Sequence, residues 1–118
     1  MIMLNREPVR EKSRLLMEVY MPFYVVFSEY QVPREKGEKI FPHHVAYMDQ
    51  LQAQKRVLAA GPLTDGTGAM VILIAGSREE AEKILSDDPI HREGIRKFQI
   101  REWKPVRFFN WELGNEKT

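Results

Sequence analysis

The chain has 118 residues and a mass of 13.9 kDa, with 43% hydrophobic and 30% charged residues, which suits one domain with a real core and argues against two. Eighteen Lys and Arg against seventeen Asp and Glu leave a formal charge of +1, so there is no bulk attraction to nucleic acid or to an anionic membrane. Cysteine is absent, which excludes disulfide scaffolds, cysteine zinc sites and thiol nucleophiles together and makes the cytoplasm the simplest location.

Residues 1–22 read as an N-terminal extension before the domain proper, which spans residues 23–118. The extension is dense in charge, and its Glu7/Arg10 and Glu11/Arg14 pairs suit a solvated helix. Glu7, Glu11 and Glu18 dilute the positive stretch that an export signal needs, and no small-residue cleavage site follows. The uncharged run from Val19 contains Pro22 and is broken at Glu29, well short of a bilayer span, so no membrane partner is expected.

Phe23 to Tyr30 (FYVVFSEY) is rich in aromatic and β-branched residues and is bounded by Pro22 and Pro33, which predicts a strand. Pro33 to Lys39 reads as a loop. A helix is expected from near Pro42, tolerated in a first turn because its missing N–H would have no helical partner. Val45, Met48 and Leu51, with Tyr47, give it an apolar stripe. Arg56 to Thr64 and Ala69 to Gly76 flank Asp65-Gly66-Thr67-Gly68, the pattern of a hairpin. The second of these strands is apolar throughout from Ala69 to Ala75, which predicts cover on both faces. Ser77-Arg78-Glu79-Glu80 is a capping box opening a helix that Pro89 ends. Ile95 to Trp103 alternates, with Phe98 and Ile100 on one face and Gln99, Arg101 and Trp103 on the other. The tail carries Phe108, Phe109 and Trp111, too apolar for idle coil.

The order β-α-β-β-α-β defines an α+β fold of the ferredoxin-like type, with both helices on one sheet face. The other face, lined by Val71 or Ile72, Leu73 or Ile74 and Trp103, would be a large bare apolar patch. Covering it with a second copy of the chain is economical, so a homodimer is expected.

His44-Val45-Ala46-Tyr47-Met48, Leu58-Ala59-Ala60-Gly61-Pro62-Leu63, Ser77-Arg78-Glu79-Glu80-Ala81, Asp88-Pro89 and Gly94 occur in an order that resembles the YciI-like family, the YCII-related domain. The resemblance covers about Phe23 to Val106. It implies a dimeric α/β barrel and an active-site His–Asp pair in a cleft, here His44 and Asp88. It also implies chemistry akin to that of a dehydrochlorinase acting on a chlorinated aromatic ring, on a fold similar to muconolactone isomerases. Two positions depart from the pattern: Phe41 stands where many relatives carry Arg, and Ile90 where Phe is common.

The residues can also be read without the family. A helix beginning at Pro42 places His44 in its first turn, where unpaired N–H groups favour the neutral ring that a general base needs. Asp87 and Asp88 fall at a helix C-terminus, where carboxylates are disfavoured. Asp88 can then orient His44, whereas Asp87 is assigned to solvent. His44 as a plain surface residue and Asp88 as a plain turn starter are the competing accounts. A metal site from His44, Asp88 and His91 lacks the short ligand spacing of metalloprotease motifs, so neither metal nor cofactor is expected, and His91 is assigned to the cleft rim or the surface. Tyr24 or Tyr30 can offer a hydroxyl if its strand face lines the cleft. Ser28, Ser77 and Ser86 occupy no nucleophile elbow and receive no chemistry. The basic, aromatic last strand (Lys97, Phe98, Arg101, Trp103) has the element order of RNA-recognition domains, but AMVILIAG lacks their signature, and packing is the better account.

The functional expectation is a small-molecule enzyme: cofactor-independent proton transfer leading to elimination or isomerisation of a small cyclic or aromatic compound, with His44 as base and Asp88 as its partner. The alternative is a non-catalytic metabolite-binding or interaction module of the same fold. Residues that bind the substrate are not identified by the sequence.

Overall fold

The computed structural model describes residues 22–107. Nearly all of the N-terminal extension, and the tail aromatics Phe108, Phe109 and Trp111, lie outside the described residues. Strands β1 (Phe23–Tyr30), β2 (Val57–Pro62), β3 (Gly68–Ile74) and β4 (Arg96–Trp103) form a four-stranded sheet in the order β2-β3-β1-β4. Each neighbouring pair is antiparallel. Helix α1 (Phe41–Ala53) joins β1 to β2, and α2 (Arg78–Ser86) followed by the short α3 (Pro89–Arg92) joins β3 to β4.

The period-2 pattern of the strands decides what each face does. Tyr24, Val26 and Ser28 of β1 lie in register with Leu73, Val71 and Ala69 of β3 and with Glu102, Ile100 and Phe98 of β4. Tyr24, Val26, Val71, Leu73 and Ile100 form the core with Ala81 and Leu85 of α2, and Met48 of α1 packs against it. The intervening residues, Val25 and Phe27 with Met70, Ile72 and Ile74, share the other face with Gln99, Arg101 and Trp103. Of the alternatives left open by the sequence, Ile72 and Ile74 therefore face away from the helices. Within one chain β3 is covered on one face only: Val71 and Leu73 are buried, while Ile72 and Ile74 stay partly exposed.

Local chemistry fixes the connections. Asp65 accepts hydrogen bonds from the Thr67 N–H (3.0 Å) and hydroxyl (2.6 Å), and Gly66 takes the positive φ of 79° that the turn requires. At Gly68 a Cβ would collide with the Ser28 carbonyl oxygen, so glycine is what lets β3 close on β1 there. Ser77 caps α2 by accepting from the Glu80 N–H at 3.1 Å. The reciprocal bond of the capping box is displaced by one residue: the Glu80 carboxylate accepts from the Gly76 N–H and from Arg56. That Arg56 partner, then the Gly76 N–H, holds the Glu80 carboxyl below the usual carboxylate range.

Candidate active site

Helix α1 begins at Phe41, with Pro42 in its first turn, and the His44 N–H already donates to the Ile40 carbonyl at 3.0 Å. His44 and Met48 share a helix side four residues apart, so the stripe that seats Met48 on the core turns the imidazole toward the sheet and α3. Val45, expected in that stripe, is largely exposed.

Asp88 is 2% exposed and occupies a different position from the one its sequence context predicts. Helix α2 ends at Ser86, and Asp88 opens α3: its Oδ1 accepts from the Ile90 N–H at 3.0 Å, and Pro89 fills the first helical position. The carboxylate thus faces a helix N-terminus, where negative charge is favoured, and breaks no local rule. Asp87 behaves as expected, pairing at the surface with Lys83 at 3.0 Å.

Folding brings the two groups together. His44 Nδ1 lies 2.9 Å from both carboxylate oxygens of Asp88, with the His44 side chain 13% exposed. An ionised carboxylate can only accept, so Nδ1 carries the proton and donates. Nε2 points away from that contact, and among the described residues it has no hydrogen-bond partner; in the neutral ring it is the nitrogen that carries the lone pair. Phe41 flanks the ring, centroid to centroid 5.7 Å.

Both residues line a cavity of about 320 Å³ between α1, α3 and the β2–β3 edge, together with Ser28, His91, Tyr30 and Arg96. Its mouth includes Val45 and the Ala60 to Leu63 segment. His91 lines this same cavity and is half-buried, with its ring engaged inside the fold. Its Nδ1–H donates to the Leu85 carbonyl at 2.8 Å, so its Nε2 accepts from the buried Ser28 hydroxyl at 2.6 Å. Burial pushes the His91 imidazole below its ordinary range, against the opposing pull of the Leu85 carbonyl and Asp88. With both ring nitrogens engaged, His91 is not free to bind a metal beside His44 and Asp88, and no cluster of three such ligands occurs among the described residues. Tyr30 lines the cavity and its hydroxyl accepts from Arg96, whereas Tyr24 is buried in the core.

Sequence reasoning gave Ser28 no chemistry and missed Arg96 and the inward contacts of His91. A signal for Ser28 was available in the alternation of β1: a serine in phase with Tyr24 and Val26 is a polar group on the core face and needs a partner.

A small α+β domain with an imidazole–carboxylate pair on an open cavity is the class that fold and site define. Residues 21–104 match the model of the YCII-related domain. The chain belongs to that family. It is 41% identical over 73 residues to the "Uncharacterized protein YjpA" of Bacillus subtilis (strain 168), covering 58% of this chain and 86% of that protein. Among solved structures it is similar to 5-chloro-2-hydroxyhydroquinone dehydrochlorinase (TftG) from Burkholderia phenoliruptrix AC1100, in complex with 2,5-dihydroxybenzoquinone. That similarity has a TM-score of 0.61 and 20% identity, covering 70% of this chain and 93% of that one, and it concerns the fold. No helix among the described residues is long and apolar enough to cross a membrane.

Proposed function

We propose that the domain is a small-molecule enzyme in which His44 removes a proton from a small cyclic or aromatic substrate, leading to elimination or isomerisation without a cofactor. The observation that carries this reading is the contact of His44 Nδ1 with both Asp88 oxygens at 2.9 Å, on a cavity of about 320 Å³. Asp88 fixes the tautomer that leaves Nε2 as the base and stabilises the imidazolium formed when the proton arrives. The cavity is at the small end of ligand sites, which suits a single ring with few substituents. The fold-level similarity to a dehydrochlorinase supports the same substrate class. The bare sheet face of Phe27, Ile72 and Trp103 supports a homodimer in which a second copy covers it.

The test is turnover of chlorinated hydroxyhydroquinones and related cyclic carbon acids in deuterated water, followed by chloride release and deuterium incorporation. His44→Gln and Asp88→Asn are each expected to lower the rate by about 10²–10⁴-fold, the usual worth of a positioned acid–base group. Turnover that survives His44→Gln ends the assignment of the base. Tight binding with neither chloride release nor exchange would make the domain a metabolite-binding module instead.

A further inference from the structure

Arg96 is the second charged group buried at the cavity, and its environment is unlike that of Asp88. It lies on the helix-covered face of β4, in register with Tyr30, and is 7% exposed. Its Nη2 donates to the Tyr30 hydroxyl at 3.1 Å, and its guanidinium carbon stands 4.6 Å from the centre of the Tyr30 ring. No carboxylate pairs with it among the described residues, and its buried Nε–H has no acceptor. A neutral hydroxyl and a ring face compensate a buried cation poorly, because both lack the full negative charge that a guanidinium fork matches. Asp88 is already engaged by His44 and the Ile90 N–H, and the other acidic residue of the lining, Asp49, is exposed. Arg34, at the same cavity, adds positive charge.

We propose that Arg96 is the anion-binding group of this cavity, and that its ligand is a small ring compound bearing an ionised oxygen, a carboxylate or a phenolate. The proposal rests on the cavity being the ligand site, as argued above, and narrows the substrate to an anion. Bound there, the ligand oxygen supplies the charge that Tyr30 lacks. Arg96 thereby fixes the ring's orientation relative to His44 Nε2, and it is a positioning residue with no part in proton removal.

The test is binding, not turnover. Benzoate, 4-nitrophenolate and neutral benzyl alcohol are titrated into the full chain, and the amide signals of Gly61 and Ala69 at the cavity wall are followed by NMR. At least one of the two anions is expected to bind about tenfold more tightly than the alcohol, and which one does so separates carboxylate from phenolate. Arg96→Gln is expected to remove that preference, while His44→Gln keeps it. Equal affinities for anions and alcohol in the unaltered chain overturn the proposal and leave the His44–Asp88 reading to be judged by turnover. A preference that persists in folded Arg96→Gln overturns it equally. Should that variant fail to fold, Arg96→Lys retains charge without the planar fork, and anion affinity is expected to fall at least about threefold; unchanged affinity then counts against the proposal.

Discussion

The cavity holds two histidines whose surroundings differ. His44 faces a carboxylate that is itself held at a helix N-terminus by the Ile90 N–H, and its second nitrogen has no partner among the described residues. His91 faces a backbone carbonyl on one side and a serine hydroxyl on the other, so both of its nitrogens are satisfied by neutral groups. The same side chain is thereby held in two ways: at one end oriented by a carboxylate with its second nitrogen unengaged, as the proposed base requires, and at the other closed into a polar link between α3 and β1. Chemistry at neutral pH needs the first arrangement, and burial without penalty needs the second.

The contrast can be broken most forcefully at Asp88. Asp88→Ala removes the α3 cap, worth about 1 kcal/mol, and leaves the His44 N–H without its acceptor, a further cost of about 1–3 kcal/mol. The expected loss of stability is therefore about 2–4 kcal/mol, read from urea midpoints at unchanged slope. Ser28→Ala takes away a single neutral donor and strands the His91 Nε2, with an expected cost of about 1–2 kcal/mol. Equal losses in the two variants would mean that Asp88 does no more for the fold than the buried hydroxyl does.

The two ends were also unequally legible in the sequence. His44 and Asp88 lie in segments that carry family resemblance, and both residue types advertise chemistry. Their meeting across the forty-odd residues between them is a tertiary fact that the resemblance implies, and that the residues alone offer only beside the competing accounts of a surface histidine and a turn starter. Asp88 does not lie at a helix C-terminus as its context predicts, because the chain restarts a helix at Pro89 instead of ending one, and a four-residue helix leaves no periodic signal to read. Ser28 was weighed only as a nucleophile, so its hydroxyl on the core face of β1 was not read as the partner of a buried side chain. Arg96 is in phase with Phe98 and Ile100, so the alternation of β4 puts it on the covered face; an arginine there reads as a strand end, and only the tertiary structure shows it buried beside Tyr30. The strands, by contrast, were legible nearly to the residue, since β1 runs from Phe23 to Tyr30 as its composition predicts. The apolar run of β3 pointed to two surfaces, a core and an open face, but with no polar residue in it the phase could not be read, and the structure assigns Val71 and Leu73 to the core and Ile72 and Ile74 to the open face.

A smaller effect separates the two histidines by pH. Burial depresses the His91 imidazole, so the folded chain holds its proton less tightly than the unfolded chain does. Below the ordinary imidazole value of about 6.5, the unfolded state binds more protons, and stability falls as pH drops toward the lower folded value. Above about 6.5 this contribution is fully present. His91→Gln is expected to flatten the slope of stability against pH between about 6.5 and 5, measured by urea unfolding, before carboxylate protonation dominates. A slope that is unchanged in His91→Gln would mean that the ring is not the group whose neutral form the fold requires.

The subtlest difference is in the protons themselves. Both rings are expected to carry hydrogen on Nδ1, His44 because Asp88 accepts there and His91 because the Leu85 carbonyl does. The exposed His43 is under no such constraint. Nitrogen-15 spectra of the imidazoles at neutral pH should therefore assign the Nδ1–H tautomer to His44 and His91. The variants then divide the pair: Asp88→Asn shifts the His44 nitrogens and Ser28→Ala those of His91, each leaving the other ring nearly unmoved. If Ser28→Ala displaced the His44 nitrogens as strongly as those of His91, the two ends would form one coupled proton network, and the base could no longer be assigned to His44 and Asp88 alone.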